Sequence, residues 1–179
     1  MNKAILLLSG NPSGKTSFIN TIKKSAWIWN INHKDYIAKI ARNYLYYTEG
    51  ERDAEYYTFI ESIARVLNTQ YNFQQVYVEE MIRKFLSDES EYFTDKDGKK
   101  FDSFVLVIHG LGKDTVKFLK ENYGAFHLCI SARILNSNIE IYDTVLYEDD
   151  GDFEAQSIRT LNILTNNGKD KKLNGNFTA

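Results

Sequence analysis

Residues 3–18 read KAILLLSGNPSGKTSF, and the fold turns on this stretch. Its first part, 3–9, is a continuous apolar run of the kind buried on both faces of a parallel sheet. Gly10, Asn11, Pro12, Ser13 and Gly14 follow as a turn of small residues. Lys15, Thr16 and Ser17 then open a helix over 15–25, with Phe18, Ile19 and Ile22 on its inner side. Strand, small-residue turn and helix together predict a loop that binds the phosphates of a nucleoside triphosphate. In such a turn successive backbone N–H groups face one anion, and the helix adds its positive N-terminal end. The Lys15 ammonium reaches the outer phosphates and the Thr16 hydroxyl ligates Mg²⁺. The usual pattern has Gly where Ser9 stands, so the strict motif is missed at one position. A Gly-Lys-Thr triplet alone is weak, since chance supplies a Gly-Lys-Ser/Thr in roughly one chain in ten of this length. The strand before it and the helix after it make the signal specific.

Outward from this segment, strand-like and helix-like patterns alternate. Residues 26–31 (AWIWNI) are short, aromatic and β-branched, which predicts a second strand. Three helices are expected next. The stretch 34–47 carries Tyr36, Ile37, Ile40, Ala41, Tyr44 and Leu45 at helical spacing, and 52–68 does the same with Tyr56, Tyr57, Ile60, Ile63, Ala64 and Leu67. In 74–87 the apolar side is Tyr77, Val78, Met81, Ile82, Phe85 and Leu86. Residues 95–100 (DKDGKK) read as an exposed turn or hairpin tip. Two further buried-type strands, 103–109 (SFVLVIH) and 125–131 (AFHLCIS), flank a helix over 113–122 that stops before Gly124. Residues 143–147 (DTVLY) make a fifth strand, and a closing helix over 152–164 takes Asp152 as its N-cap.

Strands separated by helices predict an α/β, three-layer P-loop fold: a five-stranded, mostly parallel sheet with helices on both faces. One domain is expected over 1–166. The helices inserted after the second strand, about 33–90, form a cap over the strand tips, where ligands of such sheets sit. The polar end, 167–179, lacks apolar periodicity and is expected to be a mobile tail.

Composition narrows the function. The 179 residues are 43% hydrophobic and 26% charged, as in a globular chain with one core. A net charge of -2 with no basic helix face argues against nucleic acid as a partner. Cys129 is the only cysteine, which excludes an intramolecular disulfide and a cysteine zinc cage and suits a reducing compartment. The apolar run 4–8, which no other exceeds, is too short for a signal sequence or membrane span, so a cytoplasmic protein without a membrane partner is expected.

A phosphate loop at the start, and helices rather than a strand after the second strand, resemble nucleoside monophosphate kinases. The likeness is closest to the bacteriophage deoxynucleoside monophosphate kinases. ILLLSGNPSGKTSF (5–18) is similar to that family's opening, where a Ser often precedes the first Gly. VLVIHGLGKDTVKFLKENYGAFHLCISAR (105–133) resembles its third strand, helix and fourth strand, and YDTVLYEDDGDFEAQSIRTLNIL (142–164) its last strand and closing helix. The resemblance implies phosphoryl transfer from ATP to a nucleotide acceptor, with ATP and Mg²⁺ at residues 10–17. Lys15 would bridge the β/γ-phosphates, Thr16 would hold the metal, and Arg42 and Arg52 on the inserted helices would hold the acceptor.

The sequence also departs from that family. Its third strand leads into an acid followed shortly by Arg, whereas this chain has Ile108-His109-Gly110-Leu111-Gly112-Lys113. Its lid arginines reduce here to Arg133 and the short segment 134–142. Cations around a transferring phosphoryl group supply much of the rate, so Lys113 and Arg133 are the candidate catalytic replacements, each equally readable as a surface cation. Asp114 could recover the metal role or be an ordinary first-turn acid. His109 could contact phosphate or face solvent, while His127 reads as a core histidine. Arg65 and Arg83 share the inserted helices, but Arg42 and Arg52 lie off the apolar faces. Trp27, Trp29, Tyr44 and Tyr57 invite base stacking, yet at their spacing they read as core. Residues 148–150 read as a solvated acidic cap. The rival to the enzyme is a P-loop domain that binds nucleotide without turnover and acts through a partner. A homodimer is compatible with both.

Overall fold

A computed structural model describes residues 2–45, 54–132 and 142–170. In chain order the elements are β1 (Asn2–Gly10), α1 (Pro12–Ile22), β2 (Trp27–Asn32), α2 (His33–Leu45), α3 (Ala54–Tyr71), α4 (Phe73–Ser87), β3 (Phe93–Thr94), β4 (Lys100–Phe101), β5 (Ser103–His109), α5 (Lys113–Tyr123), β6 (Phe126–Ser131), β7 (Thr144–Tyr147) and α6 (Phe153–Asp170). The main sheet has the order β2-β5-β1-β6-β7, and every pairing in it is parallel. β3 and β4 form a separate antiparallel hairpin around the 95–100 turn.

The apolar run of β1 explains its central place. Leu6, Leu7 and Leu8 are fully buried, each stabilising the fold by roughly 1.5–3 kcal/mol. Alternate residues serve opposite layers. Leu6 and Leu8 join Val105, Val107, Leu128 and Ile130 beneath α1 and α6, through Phe18, Ile22 and Leu161. Ile5 and Leu7 join Leu106 and Ile108 beneath α4 and α5, through Ile82, Phe85, Val116 and Leu119. The layers are therefore α1/α6, sheet, and α4/α5. A third cluster, Ile37, Ala41, Tyr56, Ile60 and Ala64, ties α2 to α3. Trp27 stacks on Phe93 at 5.2 Å and meets Phe101 edge-on, and Trp29 packs against the α4/α5 core. Both tryptophans are structural.

Two expected boundaries are corrected. The turn after the first strand is not 10–14: β1 continues to Gly10 and α1 starts at Pro12. Proline is preorganised for the first helical turn and its missing N–H is not needed there. The tail expected from 167 is helical through Asp170, because α6 runs past the Leu164 end expected for it. Residues 171–179 lie outside the described residues.

Candidate functional site

Strand register brings the site together. Leu8 pairs with His109, Asn32 with His109, and Gly10 with Ile130, so β1, β2, β5 and β6 finish side by side. The chain leaves β1 for an edge strand on one side, and later crosses from β5 to β6 on the other. Such a switch point is where open α/β sheets take their ligands. Gly10 makes the reversal from β1 into α1 with φ +101, in the left-handed half of conformational space. A Cβ there would lie 1.9 Å from the Ile130 carbonyl oxygen, and the Asn11 N–H donates to that same oxygen at 2.7 Å.

Asn11 is the N-cap of α1, and the Lys15 N–H already bonds back to its carbonyl at 3.0 Å. Gly14, Lys15, Thr16 and Ser17 therefore sit in the first turns of a helix, not in a wrapped loop. The amides of Ser13 and Gly14 belong to the turn whose donors have no partner inside the helix. An anion faces that turn, and it comes from the protein. The Glu148 carboxylate, just after β7, accepts from Asn11 Nδ2 and Ser13 Oγ at 2.6 Å each. A Cβ on Gly14 would lie 3.2 Å from its Oε2 and 2.5 Å from Ile130 Cγ2. Glu148 is thus part of the site and not a solvated cap. In the sequence the acidic run before a helix hid it.

Lys15 is half-buried, and its charge reaches two groups on neighbouring strand tips. Burial first, then the Lys15 ammonium, push His109 down to about 4, so this ring is neutral at neutral pH. The His109 Nε2 pairs with Asn30 Oδ1. Burial raises the Cys129 thiol, while Tyr142 and the Lys15 charge act in the opposite direction. The Thr16 hydroxyl donates to the Pro12 carbonyl at 3.1 Å and is exposed, so its oxygen keeps its acceptor capacity.

Behind the strand tips, two buried polar groups fix the backbone. Ser9 Oγ and His127 Nε2 are 2.8 Å apart, which makes His127 a satisfied core histidine. Gln74, buried on α4, holds the turn after β5 at both ends: its Nε2 donates to Gly110 O at 3.2 Å and its Oε1 accepts from Gly112 N at 2.9 Å. The same Nε2 contacts the buried His33 ring at 3.2 Å. Burial first, then Lys34, push His33 down to about 4. Gln74 was missed in the sequence, although a polar residue in step with buried Val78, Ile82 and Phe85 was a legible signal.

The remaining candidates separate. Lys113 and Asp114 are exposed on the first turn of α5, which follows the Gln74-held turn. Arg42 is half-buried in the last turn of α2. Arg65 and Arg83 are exposed on α3 and α4, and Tyr57 is exposed beside Tyr56. Arg52 and Arg133 lie outside the described residues. Among the described residues, no helix is long and apolar enough to cross a membrane, and no group of three His, Cys, Asp or Glu could hold a metal ion. No known protein-family model matches the chain, and no curated protein matches it.

Proposed function

We propose that this chain binds a nucleoside triphosphate, ATP with Mg²⁺, at the β1–α1 corner and transfers a phosphoryl group to a nucleotide held by the inserted helices. The observation that carries the reading is Lys15. It stands on the first turn of the helix that follows the central strand, and its charge reaches the tips of β5 and β6. The donor set also fits an anion, because Asn11 and Ser13 already hold a carboxylate there. ATP, when bound with Mg²⁺, supplies the phosphoryl group. The protein's part is to neutralise charge with Lys15, offer the Thr16 oxygen to the metal, and orient the acceptor with Arg42 and Arg52. Lys113 and Arg133 are the cations proposed to approach the transferring group.

Incubation with labelled ATP–Mg²⁺ and a panel of ribo- and deoxyribonucleoside monophosphates tests the reaction. Lys15→Ala should weaken ATP binding at least about tenfold, roughly 1.4 kcal/mol. Arg42→Ala should raise the acceptor KM or lower turnover without changing ATP affinity. Equal ATP titrations for wild type and Lys15→Ala, both folded by circular dichroism, would remove the nucleotide site.

A second reading, nucleotide binding without turnover and action through a partner, is favoured by the tip of β5. His109 is neutral and tied to Asn30, and the following Gly110–Gly112 turn is held by Gln74, with no acid or guanidinium among residues 109–112. ATP binding without labelled product on any monophosphate selects this reading over the kinase.

A further inference from the structure

We infer that Glu148 is an internal anion that closes the phosphate site, and that nucleotide binding requires its side chain to swing out. The inference rests on the nucleotide reading above. Two hydrogen bonds locate the carboxylate, from Asn11 Nδ2 and Ser13 Oγ at 2.6 Å each, and Gly14 leaves it room, since a Cβ there would lie 3.2 Å from Oε2. These are the small residues between β1 and Lys15 that a phosphate would use, on the helix end where negative charge is stabilised. A phosphate and a carboxylate cannot share that turn, since two anions at contact distance repel strongly at a partly buried site.

The backbone around Glu148 is built to stay while its side chain moves. Its N–H donates to the Ser131 carbonyl at 2.9 Å, continuing the β6–β7 pairing. The Asp150 N–H closes the next turn onto Tyr147 O at 3.2 Å, and the Phe153 N–H bonds to Asp150 O at 3.0 Å at the start of α6. Opening the site therefore needs rotation about the Glu148 side-chain bonds only. Ser13 is exposed and Asn11 and Glu148 are half-buried, so the released carboxylate turns into solvent. In this closed form the apparent nucleotide affinity is reduced by the fraction of molecules that stand open. Mg²⁺-bound triphosphate, with its several contacts, can overcome that penalty where a single small anion does not.

The test is ATP–Mg²⁺ binding by calorimetry to wild type, Glu148→Gln, Glu148→Ala and Lys15→Ala, with circular dichroism of each. Removing the charge should tighten ATP binding about tenfold in both Glu148 variants, the gain expected for a gate shut roughly nine parts in ten. Unchanged or weaker binding in folded Glu148 variants, with Lys15→Ala still impaired, overturns the gate and leaves the nucleotide site standing. Weaker binding would make Glu148 a ligand of the nucleotide–metal complex instead. Absence of ATP binding in wild type and in both Glu148 variants overturns the nucleotide reading and the gate with it.

Discussion

From the first turn of α1, the ammonium of Lys15 disfavours protonation of His109 at the tip of β5, adding to the burial that holds the ring near a pKa of 4. Removing the charge removes one of the two causes. Lys15→Met should raise the His109 pKa toward, but not to, its ordinary value of 6.5, as read from the imidazole protons in an NMR titration. A titration curve identical to wild type would show that the two groups do not interact. Phosphate bound at Lys15 should move the same ring upward, because it brings negative charge where only a cation now acts.

Acid should unfold the protein through His33. Its folded pKa is about 4, below the ordinary 6.5, so the unfolded chain binds the extra proton first as pH falls. The stability is present above pH 6.5 and drains away between about 6.5 and 4, by up to about 3 kcal/mol. His109 adds a smaller contribution of the same sign, being more exposed. Urea midpoints measured across that pH range should fall for wild type and fall less for His33→Asn. An equal slope in both proteins would assign the acid sensitivity elsewhere.

Gly10→Ala should cost about 4 kcal/mol or abolish folding, because the added Cβ would overlap the Ile130 carbonyl oxygen at 1.9 Å on a backbone with φ +101. Gly98 is the control. It also has positive φ, at +80, yet a Cβ there meets nothing within 4 Å. Gly98→Ala should cost only about 1–2 kcal/mol from backbone strain. Thermal melts that rank the two variants the other way would contradict the β1–β6 register.

Lys3 caps the far end of α4. Its ammonium donates to Phe85 O at 2.7 Å, to Leu86 O at 3.0 Å and to Asp88 O, where the helix leaves carbonyls without partners. Lys3→Met keeps the stem and removes the donors, and should lower stability by roughly 1–2 kcal/mol while leaving ATP affinity unchanged. A variant as stable as wild type would mean that water replaces the ammonium at no cost.

Much of the scaffold is legible in the residues because strand and helix periods are local. The strand 103–109 matches β5 end to end, and the helix starting at 113 stops at Gly124, whose φ of +61 no side chain favours. The mistakes are at junctions. Continuous pairing of β1 with β6 out to Gly10, and Pro12 as a helix start, shortened the loop that small residues suggested. Nothing in 9–17 reveals that β6 will sit beside it.

By itself the sequence determined the alternation of buried strands and amphipathic helices, the place of Lys15 at the head of the first helix, and the absence of an acid after β5. These follow from side-chain period and from residue identity, which need no distant partner. Only the tertiary structure decided what stands around Lys15. The strand order β2-β5-β1-β6-β7 carries Glu148 to Asn11 and Ser13, 137 and 135 positions away, and the packing of α4 on β5 carries Gln74 to Gly110 and Gly112, 36 and 38 away. Such pairs form because sheet register and helix packing bring remote strand ends and helix starts together, where polar groups withdrawn from water must find partners.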